Sequence, residues 1–213
     1  MSEVAERIRV CRLGLIEYET ALKKMREFTS RRDRSTADEI WLLEHPPVYT
    51  LGLAADPAHG PKIDSAIPVV QVERGGEVTY NGPGQLVLYA LVDLARRGIK
   101  VKQFVAMLEQ SVIDLLEGGG QRSAGRAARV AGAPGVYVGG AKVAALGIRV
   151  SRGCSFHGLA LNVDMDLTPF SAINPCGCPG MQVTQTRNLG ILESKENLGK
   201  KLADILIEKL EHA

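Results

Sequence analysis

The chain has 213 residues, of which 45% are apolar and 23% are charged, and its formal net charge at pH 7 is +2. This length and composition predict one globular domain with a well-buried core, spanning residues 1–213. A net charge this small gives no reason to expect nucleic acid or a membrane surface as a partner.

The start of the chain, MSEVAERIRV, is charged and lacks the apolar core of an export signal. The longest apolar runs are far shorter than a membrane span. The four cysteines (Cys11, Cys154, Cys176 and Cys178) do not form the dense pattern of a disulfide framework. We therefore expect a cytoplasmic protein with reduced thiols.

Apolar periodicity predicts strands along most of the chain. The predicted strands of the first half cover residues 8–13, 38–44, 48–53, 69–72 and 77–80. Residues 85–94 are almost continuously apolar, as expected for a strand that is buried on both faces. Residues 135–150 form a predicted hairpin around Gly139-Gly140, and a further strand covers residues 155–163.

Helical spacing of apolar residues predicts helices over residues 16–31 and 101–117, and a last amphipathic helix that carries Leu198, Leu202 and Leu206 on one side. Residues 118–132 mix glycines with arginines and are predicted to be a surface loop. Together these elements predict an α/β or α+β domain with a mixed sheet.

The segment Asn174-Pro175-Cys176-Gly177-Cys178-Pro179-Gly180 has the most unusual composition in the chain. Its prolines and glycines exclude a helix and a central strand, and loops of this kind present side chains to solvent or ligand. A nucleophilic cysteine needs such access and a neighbouring group that favours the thiolate. The alternative is that Cys176 is a small buried apolar residue.

A metal site is a third interpretation of these cysteines. Cys154 and His157, followed by Cys176 and Cys178, supply four ligands that zinc accepts. The C-x-C spacing is tighter than that of common structural zinc sites, and residues 154 and 157 are expected on opposite faces of a strand. Both points weigh against zinc.

Other polar residues each have a structural and a functional interpretation. Lys142 begins an apolar strand, where it is either a solvated edge residue or, if it faces Cys176, the cation that stabilises a thiolate. His45 and His157 are more often hydrogen-bonded structural residues than bases. Basic side chains form either a solvated face or a docking surface for an acidic protein; they are Arg96, Arg97, Lys100, Lys102 and the arginines between 122 and 129.

The sequence resembles a known family, the octanoyl-carrier-protein-dependent octanoyltransferases of lipoate synthesis. Five blocks carry the resemblance in order: 39–48 (EIWLLEHPPV), 74–85 (RGGEVTYNGPGQ), 133–138 (APGVYV), 152–162 (RGCSFHGLALN) and 173–177 (INPCG). The resemblance implies a single domain similar to the catalytic domain of biotin and lipoate protein ligases, with a mixed sheet flanked by helices.

The resemblance also implies roles for individual residues. Cys176 is implied to take octanoyl from the phosphopantetheine thioester of acyl carrier protein, and Lys142 falls on the family's catalytic lysine. The residues on the family's substrate-binding stretches are Arg74, Gly75, Gly76, Glu77, Val78, Thr79, Tyr80, Asn81, Ala145, Leu146, Gly147, Gly158, Leu159 and Ala160. Position 81 departs from the pattern, because the family usually has histidine there and asparagine cannot titrate near neutral pH.

The implied donor is octanoyl-acyl carrier protein. The implied acceptors are the lipoyl domains of 2-oxoacid dehydrogenases and the glycine cleavage H protein. Neither ATP nor a metal is expected, because transfer from thioester to amide is downhill and no P-loop is present. The competing interpretations are an ATP-dependent lipoate ligase, a zinc-stabilised binding module and a non-catalytic protein that binds lipoyl domains.

Overall fold

The computed structural model describes residues 8–56, 59–61, 66–118, 125–174 and 180–213. The strands are β1 Arg9–Leu15, β2 Glu39–Glu44, β3 Val48–Leu51, β4 Val69–Gln71, β5 Val78–Asn81, β6 Gln85–Leu91, β7 Ala127–Val130, β8 Ala133–Val138, β9 Ala141–Ser151 and β10 Cys154–Asn162. The helices are α1 Tyr18–Arg31, α2 Leu94–Arg97, α3 Val101–Gly118 and α4 Lys195–Glu211.

Most strands join one seven-stranded sheet in the order β1-β2-β6-β10-β9-β8-β7. β1 runs parallel to β2, and the remaining neighbours are antiparallel. A second, three-stranded sheet has the order β4-β3-β5, with a parallel and an antiparallel pair. The predicted mixed sheet is therefore confirmed.

Helices cover both faces of the large sheet, which explains the apolar run of β6. All seven residues of β6 are buried. Leu86, Leu88 and Ala90 pack on the face covered by α3 and α4, whereas Val87 and Tyr89 pack on the face covered by α1. A strand buried on both faces has no polar side to alternate with, as the sequence predicted.

Residues 127–130 correct the prediction of a loop over residues 118–132, because they form β7 at the edge of the large sheet. Three of the four β7 residues are exposed, so the strand carries no apolar pattern that could reveal it. Its pairing with β8 depends on backbone hydrogen bonds instead. Residues 119–124 of the predicted loop lie outside the described residues.

Asp38 is a fully buried carboxylate that organises one end of the sheet. It forms ion pairs with Arg32, Arg96 and Arg97, and its Oδ1 accepts a hydrogen bond from the backbone N–H of Asp93 at 2.8 Å. Arg96 and Arg97 therefore do not belong to the predicted basic surface, since both guanidinium groups are bound to this carboxylate.

In the described part of the chain no helix is long and apolar enough to cross a membrane.

Candidate active site

A cavity of about 460 Å³ lies between the large sheet and the segment that follows β4. Of the residues predicted to contact substrate, all except Tyr80 line it: Arg74, Gly75, Gly76, Glu77, Val78, Thr79, Asn81, Ala145, Leu146, Gly147, Gly158, Leu159 and Ala160. The size is within the range of small-ligand sites. These segments lie far apart in sequence, and the fold brings them to one place.

Tyr80 lies on the other side of its strand. Its ring packs edge-on against Phe170 at 5.4 Å between centroids and against Tyr49 at 5.5 Å, in a separate small core. Side chains two positions apart on a strand share a face, and Val78 belongs to the same small core as Tyr80 although it also borders the cavity.

One wall of the cavity is a backbone loop held tightly against two glycines. Arg74 Nη2 donates hydrogen bonds to the carbonyl oxygen and Oγ1 of Thr50, each at 2.8 Å, and Gly75 N–H donates to the carbonyl of Ile148 at 2.9 Å. A Cβ on Gly52 would lie 2.1 Å from the carbonyl oxygen of Gly76, and a Cβ on Gly147 would lie 2.8 Å from that of Gly75. Glycine is required at both contacts.

The floor of the cavity is formed by two strands where they carry no side chain. Gly147 of β9 and Gly158 of β10 are directly paired. A Cβ on Gly158 would lie 2.1 Å from the carbonyl oxygen of Leu88 in β6, so the strands could not approach as they do with any other residue. The paired glycines therefore allow close backbone approach at this point, with Gly147 against the carbonyl of Gly75 and Gly158 against that of Leu88.

A buried polar chain beside the cavity was not predicted from the sequence. His45 Nδ1 donates to the carbonyl of Ile16 at 2.7 Å, so its Nε2 accepts from the hydroxyl of Tyr89, also at 2.7 Å. The hydroxyl of Tyr18 bonds that of Tyr89 in turn. Burial lowers the pKa of His45 to about 4 and raises the pKa of Tyr18 to about 12.

These hydrogen bonds confirm the structural interpretation of His45. The two tyrosines line the cavity, and the sequence signal for them was weak. Tyr89 is the only polar side chain between Leu86 and Val92, which was the one available hint. A hydroxyl in a fully buried strand needs a hydrogen-bond partner.

His157 differs from the hydrogen-bonded structural residue that the sequence favoured. Its backbone has φ of +63°, and in the described part of the chain neither ring nitrogen has a hydrogen-bond partner. The ring stacks on Phe156 at 5.1 Å and meets Tyr89 edge-on at 5.8 Å. Burial, assisted by the charge of Arg74, lowers the pKa of His157 to about 3, so the imidazole is neutral at pH 7.

Lys142 is not a solvated edge residue, because only 3% of its surface is exposed. Its Nζ donates a hydrogen bond to the carbonyl of Pro134 at 3.1 Å and lies 5.0 Å from the ring centroid of Tyr137. Gly135, with φ of +145°, permits this position, since a Cβ there would lie 3.2 Å from Nζ. Pro134 lines the cavity, so Nζ of Lys142 lies next to a residue of its wall.

Cys176 and Cys178 lie outside the described residues. The chain that follows them pairs with β9 at Lys142: Lys142 N–H donates to the carbonyl of Gln182 at 2.8 Å, and Thr184 N–H donates to the carbonyl of Lys142 at 2.9 Å. Gln182 is six residues after Cys176. This pairing ties the chain that follows the cysteine segment to the backbone of the lysine.

The two cysteines that the structure describes are poor candidates for a nucleophile. Burial, as the largest cause, raises the pKa of Cys11 and the pKa of Cys154 above the ordinary value. Among the described residues, no group of three or more histidine, cysteine or acidic side chains comes together as a metal site would require. The zinc hypothesis also depends on Cys176 and Cys178, which the structure does not describe.

Comparisons with known proteins identify the family. The family "Lipoyl protein ligase A/B catalytic domain" matches residues 17–201. An octanoyltransferase of Thiobacillus denitrificans is 57% identical over 92% of this chain and 88% of its own. This chain belongs to the octanoyltransferase family. The resemblance seen in the sequence is thus confirmed, and the chain is an acyltransferase.

Solved structures confirm the expected fold. A lipoate-protein ligase A bound with ATP superposes with a TM-score of 0.73 over 96% of this chain and 92% of that chain, at 14% identity. A biotin protein ligase from Aquifex aeolicus superposes with a TM-score of 0.56 over 97% of this chain and 70% of that chain, at 13% identity. At such low identity the likeness concerns the fold alone.

Proposed function

We propose that this chain transfers an octanoyl group from octanoyl-acyl carrier protein to a lysine of a lipoyl domain, through a thioester on Cys176 that Lys142 activates. The observation that supports the proposal most directly is the buried side chain of Lys142, whose Nζ bonds the carbonyl of the cavity residue Pro134. The chain that follows the cysteine segment pairs with the backbone of this lysine.

The proposed reaction has two steps. The Cys176 thiolate attacks the donor's thioester carbonyl, the C–S bond to the phosphopantetheine arm breaks, and the released thiolate takes the proton of the Lys142 ammonium. The neutral amine of the acceptor lysine then attacks the octanoyl-Cys176 carbonyl, the second C–S bond breaks to release the Cys176 thiolate, and an amide forms while the amine passes its proton to the now neutral Lys142. Dividing the transfer in this way lets each protein partner bind in turn.

Lys142 has two compatible duties in this cycle. As an ammonium it stabilises the Cys176 thiolate, and each unit by which the thiol pKa falls corresponds to about 1.4 kcal/mol. As a neutral amine it can accept the proton of the incoming lysine. The hydrogen bond from Nζ to the Pro134 carbonyl and the contact with the Tyr137 ring hold the group in place for both.

The cavity supports an apolar acyl chain as the group transferred. Much of its wall is apolar side chain and glycine backbone, including Val78, Val87, Leu146 and Leu159. Each methylene removed from water contributes about 0.8 kcal/mol, so a chain of eight carbons gains most of its binding energy from such a wall. The proposed partners are octanoyl-acyl carrier protein and the lipoyl domains of 2-oxoacid dehydrogenases and the glycine cleavage H protein.

We further propose that the reaction uses neither ATP nor a metal and takes place in the cytoplasm. Both acyl transfers begin from a thioester, so no separate activation of the acid is required. Because ATP-dependent ligases share this fold, the proposed independence from ATP needs a direct test. Pyrophosphate release from octanoate and ATP would favour a ligase instead.

Intact-protein mass spectrometry after incubation with octanoyl-acyl carrier protein tests the proposal. The wild-type chain is expected to gain one octanoyl group, and Cys176→Ala should abolish the adduct. Cys11→Ala is the matched control, because the pKa of Cys11 is raised and its loss should leave the adduct unchanged. An unchanged octanoyl adduct on Cys176→Ala would exclude this residue as the acyl carrier.

A second experiment tests Lys142. Lys142→Met keeps an unbranched side chain that is one atom shorter and removes the amine, so Cys176 should react with iodoacetamide several-fold more slowly at pH 7. Lys200→Met, which removes an exposed lysine on α4, is the control and should alkylate at the wild-type rate. Equal alkylation rates for wild type and Lys142→Met would show that the lysine does not activate the thiol.

A further inference from the structure

Three buried side-chain amides form a continuous hydrogen-bonded relay next to the cavity. Asn81 Nδ2 donates to Gln85 Oε1 at 2.7 Å. Gln85 Nε2 donates to Asn162 Oδ1 at 2.9 Å, and Asn162 Nδ2 donates to the carbonyl of Thr184 at 2.9 Å. The exposed fraction of these three asparagine and glutamine residues is 6%, 1% and 4%. Such a fully paired buried network holds each member in one orientation.

The direction of the relay is determined at its far end. The carbonyl of Thr184 can only accept a hydrogen bond, so the atom of Asn162 that faces it must be the amide nitrogen. Asn162 Oδ1 then accepts from Gln85 Nε2, which also donates to the carbonyl of Tyr80 at 3.3 Å. Gln85 Oε1 is left as the acceptor for Asn81 Nδ2. No other assignment satisfies all four contacts.

This assignment leaves the side-chain oxygen of Asn81, Oδ1, available to contact a ligand. Asn81 lines the cavity, and within the described part of the chain its Oδ1 makes no hydrogen bond. A carboxamide whose nitrogen is bound in the relay presents a neutral acceptor to whatever occupies the cavity.

The same relay connects the cavity to Lys142. Thr184, which receives the last hydrogen bond, donates its own N–H to the carbonyl of Lys142 at 2.9 Å. The wall at Asn81 and the backbone of Lys142 are thus joined by four successive hydrogen bonds.

We propose that Gln85 and Asn162 are positioning residues that hold the Asn81 amide with its oxygen toward the cavity, where it accepts a hydrogen bond from a substrate N–H. This inference rests on the proposed function. Two substrate groups have the required chemistry: the amine of the acceptor lysine and an amide N–H of the donor's phosphopantetheine arm. Because asparagine cannot take up a proton near neutral pH, position 81 orients the N–H and another group receives the proton.

Single-turnover kinetics of the two half-reactions test the inference. The first measures octanoyl-Cys176 formation from octanoyl-acyl carrier protein, and the second measures transfer from preformed octanoyl-enzyme to a lipoyl-domain lysine. Asn81→Ala should slow one of them by about 3- to 10-fold, the value of one neutral hydrogen bond. Slower lysine transfer assigns the contact to the acceptor amine, and slower acyl-enzyme formation assigns it to the donor arm.

A double-mutant cycle separates positioning from a structural role. Asn162→Asp places an oxygen against the Thr184 carbonyl and breaks the relay, so it should slow the same half-reaction as Asn81→Ala. The double variant that carries both substitutions should be no slower than the slower single variant. Asn188→Asp introduces the same change in an exposed amide outside the relay and should match wild type. Additive effects of the two relay variants would overturn the positioning role.

A further variant keeps the inference testable if Asn162→Asp folds poorly. Histidine at position 81, in Asn81→His, can accept a hydrogen bond but also titrates. The pH–rate profile of the affected half-reaction should therefore gain an inflection near the histidine pKa, which the profile of Asn81→Ala lacks. If Asn81→Ala changes neither half-reaction by more than twofold while wild type forms the octanoyl adduct, the inference fails and the proposed function stands. If wild type forms no adduct, the proposed function itself fails.

Discussion

Gly52 controls the position of the cavity wall, and Gly52→Ala is therefore a direct test of how that wall is built. The new Cβ would lie 2.1 Å from the carbonyl oxygen of Gly76 and 2.7 Å from Nη1 of Arg74. Gly52 does not have a positive φ, so its own backbone accepts alanine and the conflict is purely one of space. The loop must move by about 1 Å to restore an ordinary contact.

The loop cannot make this shift freely. Leu53 N–H donates to the carbonyl of Arg74 at 2.9 Å, and Ala54 N–H donates to that of Gly76 at 3.2 Å. Overpacking of this kind costs about 1–3 kcal/mol. For a chain of this length it corresponds to a Tm that is lower by about 2–12 °C. Displacing a binding wall by about 1 Å can lower kcat/KM by up to about 100-fold.

Thermal unfolding and the kcat/KM of octanoyl transfer measure the two effects together. Gly118→Ala is the matched control, because among the described residues a Cβ there meets nothing within 4 Å and its φ is not positive. That variant should keep the wild-type rate and Tm, or gain slightly in stability. If Gly52→Ala also keeps both, the segment from Arg74 to Glu77 does not form the wall described above.

Two further predictions concern stability. The pKa values of His45 and His157 are lowered to about 4 and about 3, so both are neutral in the fold, whereas in the unfolded chain they take up protons below about pH 6.5. The free energy of unfolding should therefore fall by about 1.4 kcal/mol per pH unit for each histidine from pH 6 to pH 5. Urea denaturation that shows constant stability over this interval would contradict their burial. Asp38→Asn leaves its arginine partners without their buried carboxylate and should cost about 3–5 kcal/mol in the same assay. Asp164→Asn, which breaks an exposed pair with Arg187, is its control and should cost less than about 1 kcal/mol.

Local patterns were sufficient for most of the secondary structure. The predicted helix over residues 101–117 corresponds to α3 Val101–Gly118, and the predicted hairpin around Gly139-Gly140 corresponds to β8 and β9. The helix buries a face whose period is visible in a short window of sequence, whereas the hairpin was marked by its Gly139-Gly140 turn. β7 was missed for the opposite reason, since its exposed residues have no period and only its pairing with β8 makes it a strand.

The site was predictable from the sequence only in part. The resemblance identified substrate-binding residues on three separate segments, and all of them apart from Tyr80 line one cavity. It did not reveal the polar chain of His45, Tyr89 and Tyr18, because hydrogen bonds between residues 44 and more positions apart leave no mark on a linear pattern. The roles of Cys176 and Lys142 stay predictions for the experiments above.

The amino-acid sequence by itself determined the fold class, the family and the residues that approach the cavity, because these depend on local periodicity and on motifs that are contiguous in the chain. Only the tertiary structure decided that Lys142 is buried and that Arg96 and Arg97 bind Asp38. It alone decided that the amide of Asn81 turns its nitrogen toward Gln85. The physical reason is the same in each case: burial and hydrogen-bond direction are set by partners that are distant in sequence, and they exist only once the strands have paired.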